Sequence, residues 1–305
     1  MKNKKMRHAY LIMAHNNIDQ LNTLLKVLDS EFSDLYVHID TKSSIAEKDI
    51  YTPIYSKLYF YKVINVFWAD FSQVECELFL IKKAVMNNYH YYHLLSGADM
   101  PLKTPKEITD FLANDNRIFL HYSKICDTEK VQDYYKYYHF LQKKLFIVNR
   151  KHCFSWYKLI NKMLLLGQKI IGINRCKDGI EIKKGANWFS IPSDAAEYVI
   201  KNERWIIERF DKTRSGDELF LQTLFFNSRF KKRIFRFKED DCYDSCLRYI
   251  DWKRGNPYVF LSNDYDEIIN SNMLFARKFD WNVDNEIIIK IYEHLYSLKQ
   301  QENYE

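Results

Sequence analysis

The chain has 305 residues with 47% hydrophobic and 16% aromatic content, which excludes a disordered protein and is enough for a full α/β core. Its 46 basic and 40 acidic residues give a net charge of +6. This excess is too small and too evenly spread to predict nucleic-acid binding, although it favours anionic ligands or an anionic membrane surface. The six cysteines form no C-x-x-C pair, so we expect reduced thiols rather than a zinc site or a disulfide framework.

The first third of the chain alternates between apolar runs typical of buried strands and amphipathic runs typical of helices. The predicted strands are 8–14, 35–39 and 91–95, and the predicted helices are 18–28, 73–86 and 106–112. Such βαβ alternation predicts a mostly parallel sheet with helices on its faces. Further along, the pattern predicts a strand at 185–192 and helices at 193–209, 217–226 and 284–299.

We find no internal repeat and no low-complexity linker, so we expect one catalytic domain over residues 1–305, with a basic, aromatic helical insert at about 127–178. Residues 134–177 contain ten Lys or Arg and no Asp or Glu. Two interpretations remain open for this insert: solvated helices that cover the sheet, or an interfacial element that rests on anionic lipid. No window reaches the roughly 18 consecutive apolar residues of a membrane-spanning helix.

Polar or small residues follow each of the first three predicted strands. They are Ala14 and His15, Asp40, and the Ser96–Asp99 turn. Because parallel strands deliver such groups to one edge of a sheet, the pattern predicts a site there for a nucleotide-linked substrate. Glu218, much further along, offers a carboxylate that could act as a base.

Several short motifs in this order resemble the core-2/I-branching β-1,6-N-acetylglucosaminyltransferases and the related peptide O-xylosyltransferases, glycosyltransferase family 14. The matching segments are Ala14-His15, Val37-His38-Ile39-Asp40 with Lys42, Trp68-Ala69-Asp70-Phe71-Ser72, Leu95 to Lys103, Gly185-Ala186-Asn187-Trp188-Phe189, Asp217-Glu218 with Thr223-Leu224, and Leu274 to Asp280. Each motif alone is weak, but together they cover most of the chain. The resemblance implies an α/β protein with a modified GT-A fold, and an inverting transfer from a UDP-sugar, with GlcNAc as the leading sugar.

The resemblance assigns the catalytic base to Glu218. Spacing alone favours another role, because Ser215 and Glu218 form a Ser-x-x-Glu capping box at a predicted helix start. We assign no catalytic role to Asp217, which would support the site or cap the helix.

The donor residues implied by the resemblance lie at the strand ends and near the C-terminus. Ala14 and His15 would flank the uracil, Asp40 would meet the base or ribose, and Asp99 would lie near the donor sugar. Trp68 could pack against the nucleotide, although an aromatic beside an apolar strand is as often part of a core.

No metal is expected, because the turn that carries Asp-x-Asp in most GT-A enzymes has the single carboxylate Asp99, and a hard cation needs several oxygens. The resemblance instead implies that Arg248 and Lys278 bind the diphosphate, although either could be an ordinary surface cation. A literal Asp-x-Asp at 264–266 precedes a helix and is interpreted as a cap.

The sequence therefore predicts a metal-independent, inverting glycosyltransferase. Its acceptor would be a hydroxyl of a surface polysaccharide or lipooligosaccharide, which could be linked to a lipid. The alternative is a non-catalytic nucleotide-sugar or glycan-binding module on the same fold. The sequence shows neither an export signal nor an anchor, which favours a bacterial enzyme in the cytoplasm, with peripheral contact to the inner face of the plasma membrane as a further expectation.

Overall fold

The computed structural model describes residues 6–123, 128–150, 156–176, 178–236 and 242–302. The strands are β1 His8–Ala14, β2 Ser33–Ile39, β3 Lys57–Tyr61, β4 Tyr91–Ser96, β5 Asp99–Pro101, β6 Phe119–Leu120, β7 Phe189–Pro192, β8 Arg248–Ile250 and β9 Phe275–Arg277. The α-helices are α1 Ile18–Leu28, α2 Ser72–Val85, α3 Pro105–Leu112, α4 Glu129–Lys136, α5 Gln142–Arg150, α6 Trp156–Ile170, α7 Ser193–Lys201, α8 Glu203–Phe210, α9 Phe220–Phe226, α10 Tyr265–Ile269 and α11 Glu286–Glu302.

A six-stranded sheet in the order β3-β2-β1-β4-β7-β6 forms the centre of the protein. The first four strands in that order are parallel, and β7 and β6 continue the sheet in antiparallel pairings. The predicted α/β class with a mostly parallel central sheet is confirmed. The antiparallel edge was not predicted, because a short apolar run does not reveal the direction of a strand.

Side chains of β1 alternate between two hydrophobic cores, one on each face of the sheet. Leu11 packs in the core beneath α2, α7 and α9, whereas Tyr10 and Ile12 pack in the core beneath α1 and α11. This alternation follows from the two-residue period of a strand. Because helices cover both faces, a ligand can approach the sheet only at its strand ends.

A second, three-stranded sheet in the order β5-β9-β8 lies beyond the end of β4. In its register, Asp99 on β5 lies opposite Arg277 on β9. These strands have three residues each, too short for a periodicity that sequence analysis could detect.

Two predicted helices are interrupted. The amide of Asn202 donates to the Tyr198 carbonyl, and α7 ends there before α8 begins at Glu203. Predicted helix 217–226 is a 3-10 turn at Gly216–Glu218 followed by α9.

Cys76, Cys176, Cys242 and Cys246 are free thiols, as expected; Cys126 and Cys153 lie outside the described residues, as do Lys151, Phe154 and Lys177 of the basic insert. Within the described ranges, no helix combines the length and the apolar character that crossing a bilayer requires.

Candidate active site

A cleft with a volume of about 420 Å³ opens at the carboxyl ends of β1, β2 and β4. Four predicted donor residues line it: Ala14, His15, Asp40 and Trp68. The strands converge there because Asp40 N donates to the Ala14 carbonyl (2.9 Å) and Gly97 N donates to the Met13 carbonyl (3.0 Å). We call this cavity the strand-end cleft.

The β2 side of the cleft is a rigid loop built around Asp40. Its Oδ1 accepts a hydrogen bond from Lys42 N (2.9 Å), and its Oδ2 lies 2.7 Å from Lys42 Nζ. His38 lines the same wall, and its Nε2 accepts from Ile64 N (3.0 Å). Burial lowers the pKa of His38 to about 4, so this imidazole is neutral and serves as an acceptor at physiological pH.

Trp68 forms the opposite wall, with 64% of its surface exposed. An indole so exposed is not part of the core, which resolves the ambiguity in the sequence in favour of a ligand-accessible ring. Gln73 holds this loop, because its Oε1 accepts from Ala69 N (2.7 Å) while its Nε2 donates to Asp217 Oδ2 (3.1 Å). The Trp68 loop is thereby joined to the turn that carries Glu218.

Glu218 occupies a 3-10 turn beside the cleft, with its carboxylate partly exposed. Ser215, at φ 49°, caps no backbone amide with its side chain, so the capping-box alternative is wrong. Glu218 Oε2 instead lies 2.6 Å from Lys184 Nζ. This ion pair orients the carboxylate, a group that can serve as a proton acceptor.

Lys184 reaches Glu218 because residues 183–187 pack closely between α9 and β6. Gly185 N donates to the Glu218 carbonyl (2.9 Å), and Thr223 Oγ1 accepts from Lys183 N (3.1 Å). A Cβ at Gly185 would lie 1.7 Å from the His121 carbonyl oxygen, so this approach requires glycine.

Two buried acids lie behind Glu218. Burial, together with the charge of Glu218, raises the pKa of Asp217 to about 7. Burial and the nearby Asp217 raise the pKa of Glu77 well above its ordinary value. Asn187 is the polar side chain closest to hydrogen-bonding with Glu77, whose two oxygens are otherwise buried without partners, and Asp217 Oδ1 and Asn187 Oδ1 also lack a partner. The exposed carboxylate of this turn is that of Glu218, which does not itself line the cleft but is joined to its wall through the neighbouring Asp217 and Gln73.

Lys278 and Arg277 lie at the end of β9, next to the turn after β4. Arg277 Nη1 is 3.2 Å from Asp99 Oδ1, and its guanidinium lies 3.9 Å from the ring centroid of Trp188, which lines the cleft. Lys278 is half-buried, and its Nζ meets no carboxylate within the described ranges. Neither residue lines the cleft, but Arg277 places positive charge beside Trp188, which does, and Lys278 is its neighbour in the chain.

A family model for the Core-2/I-Branching enzyme matches residues 8–262. The chain belongs to the core-2/I-branching enzyme family. It is therefore a glycosyltransferase, of a family that uses a nucleotide-sugar donor and a glycan acceptor, and the binding-module alternative is not retained.

Curated relatives of this core-2/I-branching enzyme include two kinds of transferase. It is 24% identical over 324 residues to a human β-1,3-galactosyl-O-glycosyl-glycoprotein β-1,6-N-acetylglucosaminyltransferase, covering 94% of this chain and 69% of that protein. It is 22% identical over 317 residues to rat xylosyltransferase 2, covering 95% of this chain and 34% of that protein. Among solved structures, mouse xyloside xylosyltransferase 1 aligns over 88% of this chain with a TM-score of 0.37 and 9% identity, too remote to assign a fold.

Arg248 does not lie in the cleft of this core-2/I-branching enzyme. It is 1% exposed between the two sheets, where its guanidinium donates to Ser190 Oγ (2.8 Å) and to the carbonyls of Leu94, Phe189 and Cys246. Burial lowers the pKa of Arg248 to about 10, which still leaves it charged. Both Nη atoms are engaged by the protein and Nε is buried, so Arg248 cannot bind a diphosphate in this structure, and that prediction is corrected: Arg248 ties the small sheet to the central one.

Asp99 also differs from its predicted role. It is buried, and its two oxygens accept from Ser96 N (2.7 Å) and Ser96 Oγ (3.2 Å) while facing Arg277. We therefore correct the prediction of a contact with the donor sugar: Asp99 holds Arg277 in place.

Sequence analysis missed several residues of this core-2/I-branching enzyme site: Gln73, Lys184, Arg277 and Phe146. Arg277 stands beside Lys278 in a quoted motif, and that adjacency was an available signal. Lys184 is far from Glu218 in sequence, and no local pattern links them. Phe146 belongs to α5 and shows that the basic insert contributes to the cleft wall.

Proposed function

We propose that this enzyme transfers a sugar, with GlcNAc as the leading candidate, from UDP to a hydroxyl of an acceptor glycan, with inversion and without a metal ion. The observation that carries this proposal is the partly exposed carboxylate of Glu218, which is ion-paired to Lys184 in a turn that Asp217 and Gln73 join to the wall of the strand-end cleft.

Glu218 acts as the general base. It accepts the proton of the acceptor hydroxyl as that oxygen bonds to the anomeric carbon, and the bond from that carbon to the diphosphate oxygen breaks on the opposite face. The proton stays on Glu218, and UDP leaves with the electron pair. Lys184 orients the Glu218 carboxylate through their ion pair.

Lys278 and Arg277 stabilise the charge that develops on the departing diphosphate. Two cations fixed near the leaving oxygen can supply the electrostatic stabilisation that a divalent ion supplies in related reactions. Metal independence is supported by the state of Asp99, whose oxygens are occupied by Ser96 and face Arg277. Arg277 thus takes the place that the sequence assigned to Arg248.

The uridine is proposed to lie between Ala14, His15 and Asp40, with Trp68 packed against the nucleotide. An exposed indole binds planar or apolar ring faces well. GlcNAc is preferred to xylose because the β-1,6-N-acetylglucosaminyltransferase gives the higher identity of the two relatives quoted.

A second cavity of about 320 Å³, the insert pocket, adjoins the cleft and shares Trp68 and Phe146 with it. Its other walls come from α5, α6 and residues 139 and 214. Residue 214 precedes the Glu218 turn by a few positions, so this pocket is the proposed site of the acceptor saccharide. A surface polysaccharide or a lipooligosaccharide is the proposed acceptor class, and peripheral membrane contact is argued from α6 below.

The test is UDP release from a panel of UDP-sugars with EDTA present and a glycan extract as acceptor. We expect acceptor-dependent release that survives EDTA, and Glu218→Gln should lower it by roughly 10²- to 10⁴-fold. Glu208→Gln, an exposed glutamate on α8, is the matched control. Release abolished by EDTA would overturn the metal-free mechanism, and full activity in Glu218→Gln would overturn the base.

A further inference from the structure

Helix α6 in the basic insert has two opposite faces. Its inner stripe contains Asn161 and Leu165, which line the insert pocket, and the buried Gln168, which bonds to the backbone of Tyr138. These three positions recur at the three- and four-residue spacing of one helix face. The inner stripe therefore accounts for the contact of α6 with the rest of the protein.

The opposite face is apolar and exposed. It carries five large hydrophobic residues at spacings of three and four: Trp156, Leu159, Met163, Leu166 and Ile170. Met163 is 64% exposed and Ile170 is 76% exposed. A helix of a globular protein normally turns its apolar stripe inward, so a reversed stripe marks an interaction surface.

Positive charge borders this outer stripe. Lys158 and Lys162 lie one turn apart on the flank of α6 between its two faces, and both are exposed. Lys169 lies on the same flank and is paired with Asp133, 2.8 Å away. Since residues 134–177 contain no acidic residue, no carboxylate within this segment offsets the charge.

We propose that the outer stripe of α6 lies in the headgroup region of an anionic membrane, so that the insert pocket faces a lipid-linked acceptor saccharide. Apolar side chains beside lysines are the combination that binds such interfaces. This inference deepens the proposed function and rests on it only for the identity of the acceptor. The inner stripe of the same helix lines the pocket, so membrane contact would hold the pocket within reach of a saccharide that projects from the bilayer.

The alternative partner for the outer stripe of α6 is a second copy of the chain. Two α6 helices packed through their outer stripes would bring their flanking lysines together, and neither copy offers an acidic residue from 134–177 to offset them. Charge complementarity thus favours anionic lipid over self-association.

The experiment is flotation of the full chain with vesicles of phosphatidylcholine alone and of phosphatidylcholine mixed with phosphatidylglycerol. We expect binding that depends on the anionic lipid. Met163→Ser with Ile170→Ser should abolish it, and Lys158→Gln with Lys162→Gln should weaken it by about 30-fold, at about fivefold per lysine. Matched controls are Ile54→Ser with Met86→Ser, at 77% and 78% exposure, and Lys48→Gln with Lys290→Gln. Both control pairs should float like the native protein.

Absence of flotation, or equal loss in the control pairs, would overturn the proposal. Size-exclusion chromatography without lipid tests whether a second copy of the chain covers the outer stripe. If the native protein is a dimer and the Met163→Ser, Ile170→Ser variant is a monomer, the stripe is a dimer interface and the membrane proposal is overturned. Transfer to a water-soluble saccharide, measured in parallel, separates this proposal from the proposed function. The α6 variants should retain that transfer, whereas failure of the native protein on every acceptor would count against the function and leave the flotation result standing.

Discussion

Replacing Glu77 by glutamine should make the protein more stable at neutral pH. Glu77 is fully buried on α2, and burial, together with the nearby Asp217, raises its pKa well above the ordinary value of 4.5. The unfolded chain ionises this carboxyl near pH 4.5, whereas the folded chain keeps it protonated to higher pH. The folded state therefore binds more protons above that pH, and the free energy of unfolding falls as the pH rises.

The size of this effect follows from the pH interval. Each pH unit above 4.5 over which folded Glu77 stays protonated lowers the free energy of unfolding by about 1.4 kcal/mol, and this loss accumulates until the folded carboxyl also ionises. Glutamine has the same shape without the ionisation, and its amide group can donate to the unpaired Oδ1 of Asp217 or Asn187. Glu77→Gln should thus gain stability relative to the native protein as the pH rises above 4.5, by about 1.4 kcal/mol per pH unit at most, and almost nothing at pH 4.

The assay is urea-induced unfolding of the native protein and of Glu77→Gln at a series of pH values between 4 and 8. Glu75→Gln, on the exposed face of the same helix, is the control and should show a constant difference from the native protein. A difference for Glu77→Gln that does not grow with pH would refute the argument, because it would mean that Glu77 ionises equally in both states.

Three further outcomes follow from the site. Arg248→Met should lower the free energy of unfolding by about 3 kcal/mol or more, since it leaves Ser190 Oγ and three carbonyls without their donor. The purified variant should keep its KM for the UDP-sugar. A raised KM with unchanged stability would contradict the buried role. Trp68→Ala should raise the KM for the donor by about tenfold through lost stacking, with a thermal midpoint close to that of the native protein. Lys184→Met should lower kcat by up to about 100-fold, because the Glu218 carboxylate loses the ammonium group that orients it; an unchanged kcat would argue against that pairing.

Long apolar periodicity made part of the fold predictable. Strand β1 and helix α1 have the predicted bounds, because seven and eleven residues are enough to show a two- or a 3.6-residue period. Strands β5, β8 and β9 form only because tertiary pairing aligns them, and three residues carry no period. The misassignment of Arg248 has the same origin, since its position between two sheets depends on a sheet that could not be predicted.

The candidate site was likewise only partly predictable from the sequence. Ala14, His15 and Asp40 were placed in one cleft because the carboxyl ends of parallel strands must meet. The pairing of Glu218 with Lys184 could not be foreseen, because it depends on how residues 183–187 pack against α9 and β6. Likewise, the segment 134–177 showed its charge in the sequence, but only the structure shows which way the apolar stripe of α6 faces.

The pairing of β5 with β9 has a consequence for biosynthesis. Asp99 and Arg277 are separated by more than half of the chain. Strand β9, which ends at Arg277 just before Lys278, therefore leaves the ribosome long after β1, β2 and β4. The nucleoside end of the cleft can form on the nascent chain, but its cationic end can form only when β9 closes a very long loop. A nascent chain that has not yet reached β9 therefore lacks both proposed diphosphate-binding residues, and the ability to break the donor bond arises at a late step of folding.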